Sequence, residues 1–139
     1  MAEGGRKRNS RTEISKDLGQ SLVELALILP VLMLILMGIV DFGRAFNARI
    51  IITNAAREGA RYGAMHPADE GGIKDRVINE AAGSGISIEA DDVEVEFPNG
   101  TSEPGNPIRV TVTYDFSLIT PFLFGGDTTI RSSVEMVIF

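Results

Sequence analysis

The longest apolar run of the chain lies close to its N-terminus. Every residue from Leu25 to Val40 is apolar, Gly or Pro, and extending the run back to Leu22 adds only one charge, Glu24. A helix rises about 1.5 Å per residue, so residues 22–40 would span roughly 29 Å, close to the hydrocarbon thickness of a bilayer. A core helix in so small a protein would have a polar face, and this run has none. We therefore predict a membrane-spanning helix over about 22–40.

The helical pattern continues beyond the apolar run. No proline occurs between Asp41 and Ala64, and Pro67 is the first firm helix breaker. We therefore predict one long N-terminal helix over 20–66, of which about 22–40 lies in the membrane.

One face of this continuation carries bulky residues at first and small residues later. The face holds Phe42, Ala45, Phe46, Thr53, Ala56, Ala60, Gly63 and Ala64. Glycine weakens a helix by roughly 1 kcal/mol relative to Ala. The presence of Gly59 and Gly63 despite this cost makes sense if another layer of the structure packs closely against them. The predicted packing positions are Ala56, Gly59, Ala60 and Gly63. We favour packing on the chain's own sheet, and a contact with a second protomer is the alternative.

The spacing of apolar residues changes after Pro67. Four of them first recur at helical spacing, namely Ile73, Val77, Ile78 and Ala81. The period then becomes two in three runs, at about 93–97, 108–116 and 130–138. A short helical turn is predicted within 120–126.

These elements predict an α+β fold. Short, turn-rich connections join the three runs, and such connections favour antiparallel neighbours. Residues 67–139 are therefore expected to form a domain with a short second helix and a three-stranded antiparallel sheet, packed on the end of the long helix.

Charge is distributed unevenly along the chain, whose net charge is −6. Residues 1–19 hold five bases and three acids, and the other 120 residues hold eight bases and sixteen acids, a balance of −8. The bases ahead of the apolar run favour a cytoplasmic N-terminus, which would place the 67–139 domain outside the cytoplasm. The acidic body argues against nucleic acid as a partner, because phosphate binding needs clustered Lys and Arg.

Few residues suit catalysis or metal binding. The chain has no cysteine and one histidine, His66, for which we find no nucleophile partner. Neither a P-loop nor a dinucleotide fingerprint occurs. The acidic stretch from Glu89 to Glu103 lacks the glycine and terminal Glu of an EF-hand loop, so we interpret it as a solvated face. The sequence therefore predicts no catalytic residue, no cofactor and no metal site.

Glu24 needs an explanation of its own. A carboxylate inside a bilayer costs several kcal/mol unless it is paired, which makes an intramembrane acid a functional candidate. Glu24 lies near the start of the run, so it could also sit at the headgroup boundary at little cost. Both interpretations stay open on the residues alone.

Several segments of the chain resemble known families. Type IV pilin-like precursors have a processing region that resembles GQSLVELALILP and the apolar run behind it. TadE-like proteins are minor pilins or pseudopilins of the tight-adherence (Flp) pilus, and they resemble the chain in VDFGRAFNARIIITNAAREGARYGA, RVTVTYDFSLITPF and IRSSVEMV. The chain has Leu25 where the major pilins of that system prefer Tyr, which favours a minor, TadE-like component.

The resemblance implies a site at the start of the long helix. In pilin-like precursors a prepilin peptidase cuts after a Gly that ends a short basic leader, and a Glu is the fifth residue of the mature chain. The matching positions here are Gly19, Gln20 and Glu24, with residues 1–19 as the leader. Cleavage would give Gln20 an α-amine that is largely protonated at neutral pH. This amine could pair with Glu24 of its own chain or of a neighbouring subunit, so Glu24 is the expected assembly residue.

The resemblance also implies a function and partners. We expect a pilin-like, non-catalytic, single-pass protein of the bacterial inner membrane that takes part in pilus assembly and cell adhesion. The expected partners are a prepilin peptidase, other pilin-like subunits, inner-membrane assembly platform proteins and membrane lipid.

Three other interpretations account for parts of the sequence. The main alternative is an uncleaved, membrane-anchored extracytoplasmic domain that binds or senses a ligand. An extracytoplasmic enzyme is disfavoured by the lack of a catalytic constellation. A secretory signal peptide is disfavoured because the apolar run is too long and the nearest cleavage motif, at Gly43 to Ala45, has Arg beside the cut.

Overall fold

The computed structural model describes residues 10–121 and 125–139, and for residues 10–18 it describes the backbone alone. Residues 1–18 of the predicted leader therefore lie outside the part of the chain whose side chains are described. Residues 122–124, which belong to the helical turn predicted within 120–126, also lie outside the described residues.

The described part of the chain is built from two helices and three strands. The helices are α1, Ser10–Met65, and α2, Glu70–Gly83, and the strands are β1, Val93–Glu96, β2, Pro107–Phe116, and β3, Thr128–Val137. The strand order is β1-β2-β3, and both pairs are antiparallel. The predicted α+β fold, with a long N-terminal apolar helix, a second helix and a three-stranded antiparallel sheet, is confirmed.

The chain divides into two compact units at Ile39 and Val40. In the first unit, the residues from Gly19 to Ile39 are all exposed except Gly38, which is half-buried. Among the described residues, one helix is long and apolar enough to cross a membrane, and it includes Pro30. Its apolar window has no buried residue, so nothing within the unit covers the apolar side chains.

The core of the second unit lies between the C-terminal part of α1, α2 and one face of the sheet. Strand β2 is central, and its Val110 pairs with Val95 of β1 and Val134 of β3. The alternating residues Ile108, Val110 and Val112 are completely buried, as a period of two requires for a strand with one face on a core.

Close approach of the layers depends on two glycines of α1. A Cβ at Gly59 would lie 2.5 Å from Val77 Cγ2 of α2, and a Cβ at Gly63 would lie 2.6 Å from Ile108 Cδ1 of β2. Real side chains do not tolerate such distances, so α2 and β2 could not approach α1 in the same way with Ala at these positions.

Near Asp41, fewer residues of α1 pack against the rest of the second unit than the helical spacing predicts. Ala45 is half-buried and Ala56, Ala60 and Ala64 are buried, but Phe42 and Phe46 are 74% and 60% exposed. The rest of the second unit covers instead the side of the helix that carries Asp41, Ala48, Ile52 and Ala55, all of which are buried. The two phenylalanines lie beside this arc, where no described element covers them.

Candidate functional site

The residues of the predicted processing site lie on the exposed surface of α1. Gly19, Gln20 and Glu24 are all exposed, and a Cβ at Gly19 would meet no other described atom within 4 Å. Packing in the described structure therefore gives no reason for a glycine at position 19. Gln20 and Glu24 are four residues apart, so they lie on one face of the helix.

The four predicted packing residues lie against the chain's own body. Ala56 and Ala60 are completely buried, and Gly59 and Gly63 face Val77 and Ile108 as described above. In this structure the small face of α1 thus packs on α2 and β2.

A polar cluster that the sequence did not reveal lies at the start of the second unit. Its centre is Asp41, which directly follows the apolar run and is only 2% exposed. Asp41 Oδ1 accepts a hydrogen bond from the Ile119 N–H at 2.9 Å. Asp41 Oδ2 accepts from the Thr120 hydroxyl at 2.8 Å and from the Thr120 N–H at 3.1 Å. We call Asp41, Arg44, Ile119 and Thr120 the Asp41 cluster.

Arg44 completes the cluster from the next turn of α1. Its Nη1 lies 3.2 Å from Asp41 Oδ1 and donates to the Ser117 carbonyl at 3.3 Å. Its guanidinium also lies over the Phe116 ring, 5.0 Å from the centroid. Such a contact is favourable because the face of the ring is electronegative. Arg44 therefore joins the end of β2 and the following loop to α1.

The cluster holds Asp41 in its charged form. Burial disfavours the carboxylate and would by itself raise the pKa of Asp41. The hydrogen bonds from Ile119, from Thr120 and from Arg44 outweigh burial, so the pKa lies below its ordinary value. Because the carboxylate has several donors, it can stay buried and charged at neutral pH.

The Asp41 cluster has a structural role, which is to position the β2–β3 connection on α1. It anchors the β2–β3 connection to Asp41, the first residue beyond the apolar run. Ile119 and Thr120, which donate their N–H groups to Asp41, are separated from it by 78 and 79 positions in the chain. A local signal existed in the sequence: an acid directly after an apolar run, with Arg three residues later. This signal did not predict the cluster, because the loop partners of Asp41 cannot be identified from periodicity.

Several other polar residues of the second unit form contacts at its surface. His66 stacks on Tyr62 with the ring centroids 4.6 Å apart, and the Tyr62 hydroxyl donates to Asp69 at 2.8 Å. In the acidic stretch, Glu94 pairs with Arg131 at 2.9 Å and Glu96 with Arg109 at 3.4 Å, so these two acids have partners within the sheet. The described residues include no group of three or more His, Cys, Asp or Glu side chains that could hold a metal ion.

Comparison with known proteins gives one match. Residues 19–61 match the model of a family described as TadE-like protein. No curated protein and no solved structure matches the chain. The matched segment contains Glu24, Asp41, Arg44 and Gly59. The family is associated with the tight-adherence pilus and is generally structural rather than catalytic. The match confirms the resemblance to the TadE-like family, which the chain carries in residues 19–61.

Proposed function

We propose that this chain is a minor pilin or pseudopilin that takes part, without catalysing a reaction, in assembly of the tight-adherence pilus. The observation that carries the proposal is the family match, which begins at Gly19. This is the residue after which a prepilin peptidase would cut the chain. The match therefore covers residues 20–61 of the predicted mature helix 20–66 and leaves out residues 1–18, which hold all five leader bases.

The exposed apolar surface of α1 supports a role in assembly. Between Leu22 and Val40, the exposed fractions of the large apolar side chains range from 37% for Leu34 to 71% for Leu27. Burying such surface from water contributes about 25 cal/mol per Å², so it needs a partner. Lipid is that partner while the protein is in the inner membrane, and the helices of other pilin-like subunits replace the lipid during assembly.

Cleavage creates the positively charged amine with which Glu24 can pair. Removal of residues 1–19 takes away five bases and leaves a protonated amine on Gln20. An ammonium and a carboxylate attract strongly where water is scarce, and each relieves the cost of burying the other. Pairing with the amine of a neighbouring subunit would fix the stagger between two helices, so Glu24 sets the register of assembly.

The proposal assigns a place and partners to the chain. Before assembly it is a single-pass protein of the bacterial inner membrane, with its N-terminus in the cytoplasm and residues 67–139 outside. A prepilin peptidase processes it, and other pilin-like subunits and inner-membrane platform proteins receive it. This orientation rests on the bases that precede the apolar run.

Gene deletion with complementation tests the proposal. In a bacterium that carries the tight-adherence machinery, we expect loss of this protein to reduce the number of surface pili, and wild-type protein to restore it. The Gly19→Leu variant should fail to restore pili because the peptidase no longer cuts. Gly43→Leu is the matched control, because a Cβ at Gly43 also meets no described atom within 4 Å.

Two results would contradict the proposal. Pilus numbers that do not change on deletion would remove the role in assembly. Full restoration by Gly19→Leu would mean that cleavage is not required, and this would favour the uncleaved, membrane-anchored binding or sensor domain.

A further inference from the structure

The second unit exposes large apolar side chains beside the Asp41 cluster. Phe42 is 74%, Phe46 60% and Ile119 52% exposed. The rings of Phe42 and Phe46 are stacked with their centroids 6.4 Å apart. Ile119 belongs to a different segment, but its N–H is bonded to Asp41, the neighbour of Phe42 in the chain. We call Phe42, Phe46 and Ile119 the boundary surface.

The boundary surface is held in place by the Asp41 cluster. Loops that face water usually carry polar side chains, whereas residues 118–121 of this loop are Leu, Ile, Thr and Pro. Thr120 is completely buried because it bonds Asp41, and the side chain of Ile119 is left outward. The same carboxylate thus holds the loop with Thr120 buried and Ile119 exposed.

The position of the boundary surface along the chain indicates what covers it. The apolar run of 22–40 fills the hydrocarbon thickness of a bilayer, so Asp41 lies where the hydrocarbon ends. At about 1.5 Å per residue, Phe42 lies about 3 Å and Phe46 about 9 Å beyond Val40 along the helix. The headgroup region on each side of a bilayer is about 5–8 Å thick. Both rings therefore lie at or near the depth at which amphipathic surfaces contact lipid.

We propose that the boundary surface is a second contact with the membrane, in which Phe42, Phe46 and Ile119 insert among the lipid headgroups next to the membrane helix. The contact rests on the proposed membrane anchoring of residues 22–40. Its occupant is phospholipid, because the surface continues directly from an apolar segment of membrane length. The Asp41 cluster would then hold Ile119 in this contact.

Site-specific fluorescence tests this contact in the full chain. The chain has no natural cysteine, so a single introduced cysteine can be labelled with an environment-sensitive dye. The probe position is Ile119→Cys, whose backbone bond to Asp41 does not involve the replaced side chain. Phe42→Cys is a second probe in case the first variant folds poorly. The chain is reconstituted in phosphatidylethanolamine and phosphatidylglycerol vesicles that carry spin-labelled lipids as quenchers.

Two further positions serve as controls. Val137→Cys is the matched control, because Val137 is 55% exposed and lies at the other end of β2 and β3, about 30 Å from the Phe116 end. Met33→Cys reports on the apolar run itself.

We expect blue-shifted emission and strong quenching by headgroup-labelled lipid at Ile119. At Val137 we expect the emission of a dye in water and little quenching. Quenching at Met33 with none at Ile119 or Phe42 would overturn the second contact while leaving the anchor intact. Absence of quenching at Met33 by lipid that is spin-labelled on its acyl chain would overturn the anchoring on which the contact rests. Blue-shifted emission at Ile119 without quenching would mean that protein covers the surface, and this too would overturn the lipid contact.

Discussion

The two halves of α1 use apolar residues in opposite ways. The large apolar side chains of residues 22–40 are exposed, whereas most apolar side chains of residues 48–64, five Ala and two Ile among them, are buried against the chain's own body. The first half therefore has apolar surface that only lipid or another protein can cover. The second half obtains its partners within the chain, from α2 and β2. One continuous helix thus leaves its apolar side chains exposed at one end and packs them into a core at the other.

The glycines of the helix follow the same division. A Cβ at Gly19 or Gly43 would meet no described atom within 4 Å, but a Cβ at Gly59 or Gly63 would collide with Val77 or Ile108. Of these four positions, close packing requires glycine at Gly59 and Gly63 and not at Gly19 or Gly43. At Gly19 its role must be sought outside the described contacts, and the resemblance to pilin-like precursors provides one in peptidase recognition.

The largest loss of folding stability is expected at Asp41, where the two halves meet. Asp41→Ala leaves the N–H groups of Ile119 and Thr120 without their acceptor and frees Arg44 from its partner. We expect the melting temperature of the full chain in detergent to fall by roughly 10 °C or more. Differential scanning fluorimetry measures it, with the exposed Asp75→Ala as a control that should change little. Equal melting temperatures for the two variants would contradict the structural role of the cluster.

The effect of Asp41 should also depend on pH. The pKa of Asp41 is lowered in the folded protein, because its hydrogen-bond donors outweigh burial. A carboxyl with a depressed pKa stabilises the fold above its unfolded pKa, and this contribution is lost as the pH falls through the folded value. The difference in melting temperature between wild type and Asp41→Ala should therefore be constant near neutrality and should shrink below about pH 4. A constant difference down to pH 2 would show that the charge of Asp41 is unimportant.

A smaller loss is expected at Gly59. Gly59→Ala places a Cβ against the branched side chain of Val77, and such overpacking costs typically about 1–3 kcal/mol. Part of this cost is offset by the gain in helix propensity of roughly 1 kcal/mol. Gly43→Ala is the matched control and should be neutral or stabilising, since it has the same gain without the collision. Chemical denaturation should thus give a lower free energy of unfolding than wild type for Gly59→Ala and an equal or higher one for Gly43→Ala. A destabilised Gly43→Ala with a stable Gly59→Ala would contradict the different packing at these two glycines.

The smallest effect on folding is expected at Glu24, together with a large effect on assembly. Glu24 is exposed in the first half of the helix and makes no contribution to the core of the second unit. Glu24→Ala should therefore leave the melting temperature within about 1 °C of wild type while pilus numbers fall sharply. If the Glu24→Ala protein assembled and localised like wild type, Glu24 would have no role in register or assembly.

The sequence was informative where a pattern is local. Apolar length predicted the first half of α1, Pro67 predicted its end at Met65 within two residues, and the alternation of Ile108, Val110 and Val112 predicted β2. The Asp41 cluster joins residues nearly 80 positions apart, so no periodicity along the chain could reveal it. The exposure of Phe42 likewise depends on which arc of the helix the body covers, and that is decided by tertiary packing.

The mass of the mature protein is the most direct test of the account. The protein should be purified from native membranes of cells with and without an active prepilin peptidase, and its N-terminus determined by intact-mass and N-terminal analysis. We predict a chain that starts at Gln20 in the first case and retains the leader in the second. A chain that starts at Met1 in both strains would contradict the proposed function and identify residues 22–40 as a permanent anchor, and a start near Phe46 would identify a secreted domain.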